Sequence, residues 1–267
     1  MAMAGAGMDD KRGIQVHNDE VADPVVNDRE EQGGDASAAQ VGSPAGGVSG
    51  ARTYDALLLD FGSVVTFTAF ERHRESERLL GLTSGTLDWL GPVDPATDVL
   101  WQRMQRDEIS EREYWDVRAA EVGAMVGQPS WKPLDFFQAI RGEDPDLAVR
   151  ASAWQTVRAA RAAGLKVGIL SNELELYWGR SFMDRLGLLH DIDVLVDATH
   201  TRILKPDPRA YQLALDALGL TAQRVLFVDD QLRNVDGARQ VGMSAVHFDV
   251  AHPERCFAQV RTLLGVE

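Results

Sequence analysis

From Tyr54 onward the chain alternates short apolar, often β-branched runs with segments of helical periodicity, and this alternation most narrows what it can fold into. Runs at 54–60, 166–171, 193–197, 224–229 and 244–248 have strand length, with helices expected near 152–163, 178–187, 208–218, 234–241 and 254–264. Strands separated by helices return to one sheet through right-handed crossovers, so they lie mainly parallel. Gly164 and Gly219 stand where glycine C-caps would close two of these helices. The expected class is α/β, a Rossmann-like, mainly parallel sheet flanked by helices.

That rhythm breaks once. Between Asp60 and the run at 166 there is no convincing strand, only amphipathic stretches such as 71–80, 97–107 and 111–122, with Trp89, Trp101, Trp115 and Trp131 among them. An all-helical cap inserted at 70–148 is expected to cover the mouth of the sheet, and the core then comprises 51–69 and 149–267. The tryptophans read as packing residues. Residues 1–50 contain no Phe, Trp or Tyr and are crowded with Gly, Ala and acids. Such a segment cannot bury enough apolar surface to offset its ordering entropy, so a disordered extension is expected.

A net charge of -14 and a pI near 4.8 repel nucleic acid and anionic membranes, which excludes both as partners. A small anionic substrate would need a locally positive pocket. The chain has only Lys11, Lys132, Lys166 and Lys205 as lysines, so one beside a chemical-looking segment is informative. The single cysteine, Cys256, excludes an intrachain disulfide framework and reads as a structural thiol. No apolar run reaches the ~20 residues of a membrane span and no secretory pattern opens the chain, so a cytoplasmic location is expected.

Four segments carry the chemistry. Asp60 ends the apolar run from Tyr54 and is followed by Phe61-Gly62-Ser63. A carboxylate there can serve as nucleophile, metal ligand or turn former. Asp229-Asp230 ends Val225-Leu-Phe-Val228, and adjacent carboxylates repel unless they share a cation or proton. Hard oxygens from separate strand ends suit Mg²⁺, whose shell water and substrate phosphate complete. Lys205, stiffened by Pro206, could neutralise a carboxylate and a transferring anion. Ser171-Asn172 offers a hydroxyl, an amide and main-chain N–H groups at a helix start, an anion cradle that is equally a simple cap.

In this order the motifs Leu58-Leu59-Asp60-Phe61-Gly62, Ile169-Leu170-Ser171-Asn172, Leu204-Lys205-Pro206-Asp207-Pro208 and Phe227-Val228-Asp229-Asp230-Gln231-Leu232-Arg233-Asn234 resemble the haloacid dehalogenase superfamily across about 54–265. The third and fourth resemble especially the branch containing the phosphatase domain of soluble epoxide hydrolase and bacterial sugar phosphatases. The resemblance implies attack by Asp60 on a small phosphomonoester to give an aspartyl-phosphate, then hydrolysis. It implies that Ser171 and Asn172 hold phosphoryl oxygens and that Lys205 stabilises charge. Mg²⁺ would sit between Asp60, the carbonyl of Gly62, and Asp229 or Asp230, with Asp230 preferred.

Position 62 departs from the pattern, because phosphatases of the superfamily usually carry there an Asp that protonates the leaving group. A carbonyl ligand survives in Gly62 but the acid does not, and such proton transfer is worth about 10²–10⁴-fold in rate. Either Glu71 or His73 would reach in from the cap, or the substrate's leaving group needs little protonation, or turnover is slow. A dehalogenase forming an ester on Asp60 needs no acid, yet gains nothing from Asp229-Asp230, and that branch usually has an aromatic residue at position 62. A catalytically silent binding protein is the third reading. A phosphatase accounts for most of the motifs.

Overall fold

The computed structural model of the chain describes residues 15–16 and 52–267. Six strands form one parallel sheet: β1 (Gln15–Val16), β2 (Ala56–Leu59), β3 (Lys166–Ser171), β4 (Val194–Asp197), β5 (Val225–Asp229) and β6 (Ser244–His247), in the order β1-β4-β3-β2-β5-β6. Most of the expected extension lies outside the described residues, and Gln15–Val16 pair with Val194 and Leu195 at the sheet edge. From β2 the chain winds outward through β3 and β4, then crosses back to place β5 on the other side. The winding reverses beside β2, and ligands of open α/β sheets bind at such a reversal, beyond the strands' carboxyl ends.

β2 is central, and all four of its residues are buried. Its side chains alternate between two cores, as period-two geometry requires. Leu57 and Leu59 enter a cluster with Val157, Phe257 and Val260, whereas Ala56 and Leu58 enter one with Tyr211, Ala214 and Phe227. A parallel sheet with both faces covered explains why these runs read as continuously apolar rather than alternating.

The chain runs through α1 (His73–Leu80), α2 (Val99–Gln105), α3 (Glu111–Met125) and α4 (Pro133–Ile140) between β2 and β3, with α5 (Ala151–Ala162) leading into β3. After β3 come α6 (Leu174–Trp178) and α7 (Arg180–Met183), then α8 (Ala198–Thr201) and α9 (Pro208–Leu218) after β4, α10 (Leu232–Gln240) after β5 and α11 (Pro253–Leu264) after β6. Of the helix expected near 178–187 only the short α7 forms, parted from the earlier α6 by Gly179, whose φ of 74° and ψ of 148° only glycine adopts without strain. Ser110 and Glu113 form a reciprocal capping box that starts α3. Among the described residues no helix is long and apolar enough to cross a membrane. Cys256 is buried in α11, where its sulfur accepts from the Asp249 N–H.

The inserted helices share a core rich in aromatic rings. Trp115 lies 4.9 Å from Phe137, Phe137 stacks on Trp178 at 6.1 Å, and Trp178 meets Phe61 edge-on at 5.5 Å, linking insertion and sheet. Within the insertion Asp98 is completely buried. It caps α2 through the Trp101 N–H at 2.8 Å and accepts from the Tyr114 hydroxyl and from Arg118, both at 2.6 Å. Three donors on one buried carboxylate compensate its lost hydration. Replacing Asp98 with Ala would leave the Tyr114 phenol unpartnered and reduce the ion pairs of Arg118 to the one with the exposed Glu121 at 2.7 Å. A loss of about 3–5 kcal/mol is expected, as for one member of a buried ion pair. Chemical denaturation measures it, and a loss below about 1 kcal/mol would remove Asp98 from the account of the insertion's stability.

Candidate active site

Asp60, Gly62, Ser171, Asn172, Lys205 and Asp230 all line one cavity of about 70 Å³ at the carboxyl ends of β2, β3 and β5. The geometry follows from register. Leu59 pairs with Ile169 and Val228, so the residues that end these three strands emerge side by side. The Asp60 N–H still bonds to the Val228 carbonyl at 2.9 Å, which keeps its backbone in line with the sheet.

After Asp60 the chain makes a tight turn over Phe61–Val65 in which Ser63, not Gly62, takes the left-handed conformation, at φ 63°. Gly62 has φ −62°, and a Cβ built on it would meet nothing within 4 Å. The turn is held by Arg150, a fully buried guanidinium. It donates to the Ser63 carbonyl at 2.9 Å and to both oxygens of Glu71 at 2.7 and 2.6 Å. Glu71 also accepts from the Thr68 N–H. The expectation that Glu71 reaches the site therefore fails, because both its oxygens are engaged in anchoring the turn. His73 fails too. Its ring is packed at 4.3 Å against Trp89, does not line the cavity, and is held neutral by burial, with a pKa pushed down to about 4.

Lys205 is the centre of the cluster. Its Nζ donates to Asp60 Oδ1 at 2.6 Å and to Asp229 Oδ2 at 2.7 Å. Burial opposes its charge, but Asp229 and Asp60 outweigh burial and hold it firmly protonated. Asn172 fixes the lysine's backbone reciprocally: Oδ1 accepts from the Lys205 N–H at 2.7 Å and Nδ2 donates to the Lys205 carbonyl at 3.1 Å. Asn172 thus positions Lys205 while itself lining the cavity.

Asp229 needs a correction. It does not line the cavity but lies completely buried beneath it. Besides Lys205 it accepts from the Gln231 N–H at 2.8 Å and from Asn234 Nδ2 at 3.0 and 3.2 Å. A carboxylate with this many donors serves as the fixed counter-charge of Lys205 and is not presented to a metal. Asp230 is the member of the pair that faces the cavity. Burial, then Asp229 and Asp60, push its carboxyl well above the usual range. Asp60 is raised to about 6, by burial first and by Asp229 against the opposing pull of Lys205.

Two further carboxylates on the wall were not singled out in the sequence. Glu111, the first residue of α3, and Glu173, two residues beyond Ser171, both line the cavity. Glu173 is buried and accepts from Arg112 at 2.9 Å through Oε1, while its Oε2 has no partner. Asp197, at the end of β4, sets this loop by accepting from the N–H groups of Leu174 at 3.2 Å and Glu175 at 2.8 Å. The one signal available in advance was the Ser110 to Glu113 capping box, which fixes where α3 begins and so which residue it points inward. Phe70, Trp101, Trp115, Tyr177 and Trp178 add aromatic rings to the wall.

A sequence model of the haloacid dehalogenase-like hydrolases matches residues 54–242. A phosphatase of Mycobacterium tuberculosis is 44% identical over 91 residues, which is 34% of this chain and 42% of that protein. An (S)-2-haloacid dehalogenase of Burkholderia cepacia is 32% identical over 108 residues, 39% of this chain and 45% of that protein. The chain thus spans less than half the length of these two curated relatives. A solved phosphatase structure from Thermococcus onnurineus superposes with a TM-score of 0.51 at 20% identity, covering 80% of this chain and 99% of that one, which is likeness of fold.

The ion-pair geometry makes Lys205 structural as well as electrostatic. Lys205→Met would leave the buried Asp229 and the half-buried Asp60 without their shared cation, at an expected loss of about 3–5 kcal/mol. Asp60→Asn keeps Lys205 on Asp229, so its loss should be clearly smaller. Urea unfolding of the two variants compares them directly, and equal losses would contradict the central place given to the lysine.

Proposed function

The chain belongs to the haloacid dehalogenase-like hydrolases, and from this premise we propose that it hydrolyses a small phosphomonoester with Mg²⁺, through an aspartyl-phosphate on Asp60. The observation that carries this reading is the charge balance of the cavity. Asp60, Glu111, Glu173 and Asp230 line it, and Lys205 is the one cation among its lining residues. That lysine is already bound to Asp60 and Asp229. A 2-haloacid brings a carboxylate to this wall and finds no free cation to receive it. A phosphomonoester is more anionic still, but it is the natural co-ligand of a divalent ion bound to strand-end carboxylates.

The residues present fit such an ion. Asp60 and Asp230 stand on the same wall with carboxyls raised by burial and mutual repulsion, which is the state of hard oxygen donors that a cation would relieve. The Gly62 carbonyl belongs to the same wall. Among the described residues no three His, Cys, Asp or Glu side chains converge as a closed cage. Mg²⁺ requires none, since it binds through one or two carboxylates and keeps water and substrate oxygens. When bound it supplies positive charge to the phosphoryl oxygens.

The chain's own groups divide the remaining work. Lys205 occupies Asp60 Oδ1, which leaves Oδ2 for attack on phosphorus. Ser171, buried at the end of β3, offers its hydroxyl to a phosphoryl oxygen, and Lys205 offsets charge that develops as the bond to the leaving group breaks. Asp229 and Asn172 act through Lys205 by fixing its head and its backbone. With Glu111 and Glu173 also lining the cavity, the alcohol portion of the substrate carries no second negative charge.

Turnover of a panel of alkyl and aryl phosphates should require Mg²⁺ and disappear with EDTA. Asp60→Asn should reduce it to background without unfolding the chain. Release of halide from 2-chloropropionate without metal, with no phosphate released from any ester, would replace this reading with the dehalogenase one.

A further inference from the structure

Gly62 leaves the site without a proton donor at the position where related phosphatases carry one, and the space beside it is open: a Cβ there would meet nothing within 4 Å. Glu111 lines the same cavity, at the first turn of α3. Its neighbours on that turn are all engaged, with Ser110 and Glu113 in the capping box and Arg112 on Glu173. The Glu111 side chain makes no hydrogen bond or ion pair with any described residue. The Arg112 bridge matters for placement. It joins the residue after Glu111 to the residue after Asn172, so the start of α3 is tied to the loop of the anion site.

We propose that Glu111 is the general acid and base of the reaction, replacing from the inserted helices the carboxyl missing at position 62. The inference rests on the phosphatase reading above. In the first half, an Asp60 oxygen forms a bond to phosphorus as the ester P–O bond breaks, and the Glu111 carboxyl gives its proton to the departing alkoxide. The products are an alcohol, an aspartyl-phosphate and the Glu111 carboxylate. In the second half, the carboxylate takes a proton from water as the water oxygen bonds to phosphorus and Asp60 departs, so phosphate is released and Glu111 is protonated again. Burial, then the nearby Glu173 and Asp60 carboxylates, hold the Glu111 proton up to about 7, in keeping with a donor that is loaded before the first step.

The test compares a simple alkyl phosphate with p-nitrophenyl phosphate, whose leaving group needs no proton, in the full-length chain with Mg²⁺. Glu111→Gln should lower kcat/KM on the alkyl ester by about 10²–10⁴-fold and on the aryl ester by far less, because only the former needs protonation. Adding Gly62→Asp to that variant should recover part of the alkyl rate, since the backbone at position 62 accepts a side chain. A fall that is equal on both esters, or no fall on either, overturns the assignment. Absence of phosphatase activity from the unaltered chain overturns this inference and the proposed function together, whereas aryl and alkyl turnover both unaffected by Glu111→Gln overturns this inference alone.

Discussion

A single ammonium between two carboxylates organises the catalytic end of this fold. Lys205 is nearly inaccessible, and so is its partner Asp229, while Asp60 on its other side opens to the cavity. Burying three charges is tolerable only if each is well paired, because the cost of stranding one exceeds the stability of most surface contacts several-fold. The surrounding structure reads as the set of supports this requirement imposes. Asn172 locks the lysine's main chain, Asn234 and the Gln231 N–H complete the shell of Asp229, and the sheet register brings all three strand ends together.

A second layer of support acts on the insertion. Arg150 ties the turn after Asp60 to Glu71, near the start of the inserted helices, and Arg112 ties the start of α3 to the loop after β3. The aromatic rings from Phe61 through Trp178 and Phe137 to Trp115 make one packed line between the sheet and these helices. Two ion pairs and an apolar seam thus set how the roof of the cavity sits on its floor. The cavity is built across this boundary: strand ends supply the charge cluster, and the inserted helices supply Glu111, Phe70, Trp101 and Trp115.

Much of the fold was legible in the chain because strand runs buried on both faces are apolar throughout and end abruptly on polar residues. The strands found at 56–59, 166–171, 194–197, 225–229 and 244–247 fall within the expected runs. The split of α6 from α7 was not, since a glycine can as easily cap a helix as break one. Asp229 and Asp230 are adjacent and chemically identical in sequence. Only strand alternation, which turns one inward to Lys205 and the other to the cavity, distinguishes a counter-ion from a ligand. Glu71 and His73 attracted attention by lying close to Asp60 along the chain, yet Arg150 and Trp89 claim them. Glu111 lies 51 positions beyond Asp60 (111 − 60), and the fold alone brings it to the site.

The account depends most on covalent chemistry at Asp60. Its direct measurement is acid quenching of the Mg²⁺-loaded chain during turnover of an aryl phosphate, followed by mass spectrometry of the peptide that contains Asp60. A phosphoryl adduct on that peptide, absent from Asp60→Asn and from samples with EDTA, is the predicted result. Phosphate release at full rate with no adduct on Asp60, or with an adduct elsewhere, would contradict it.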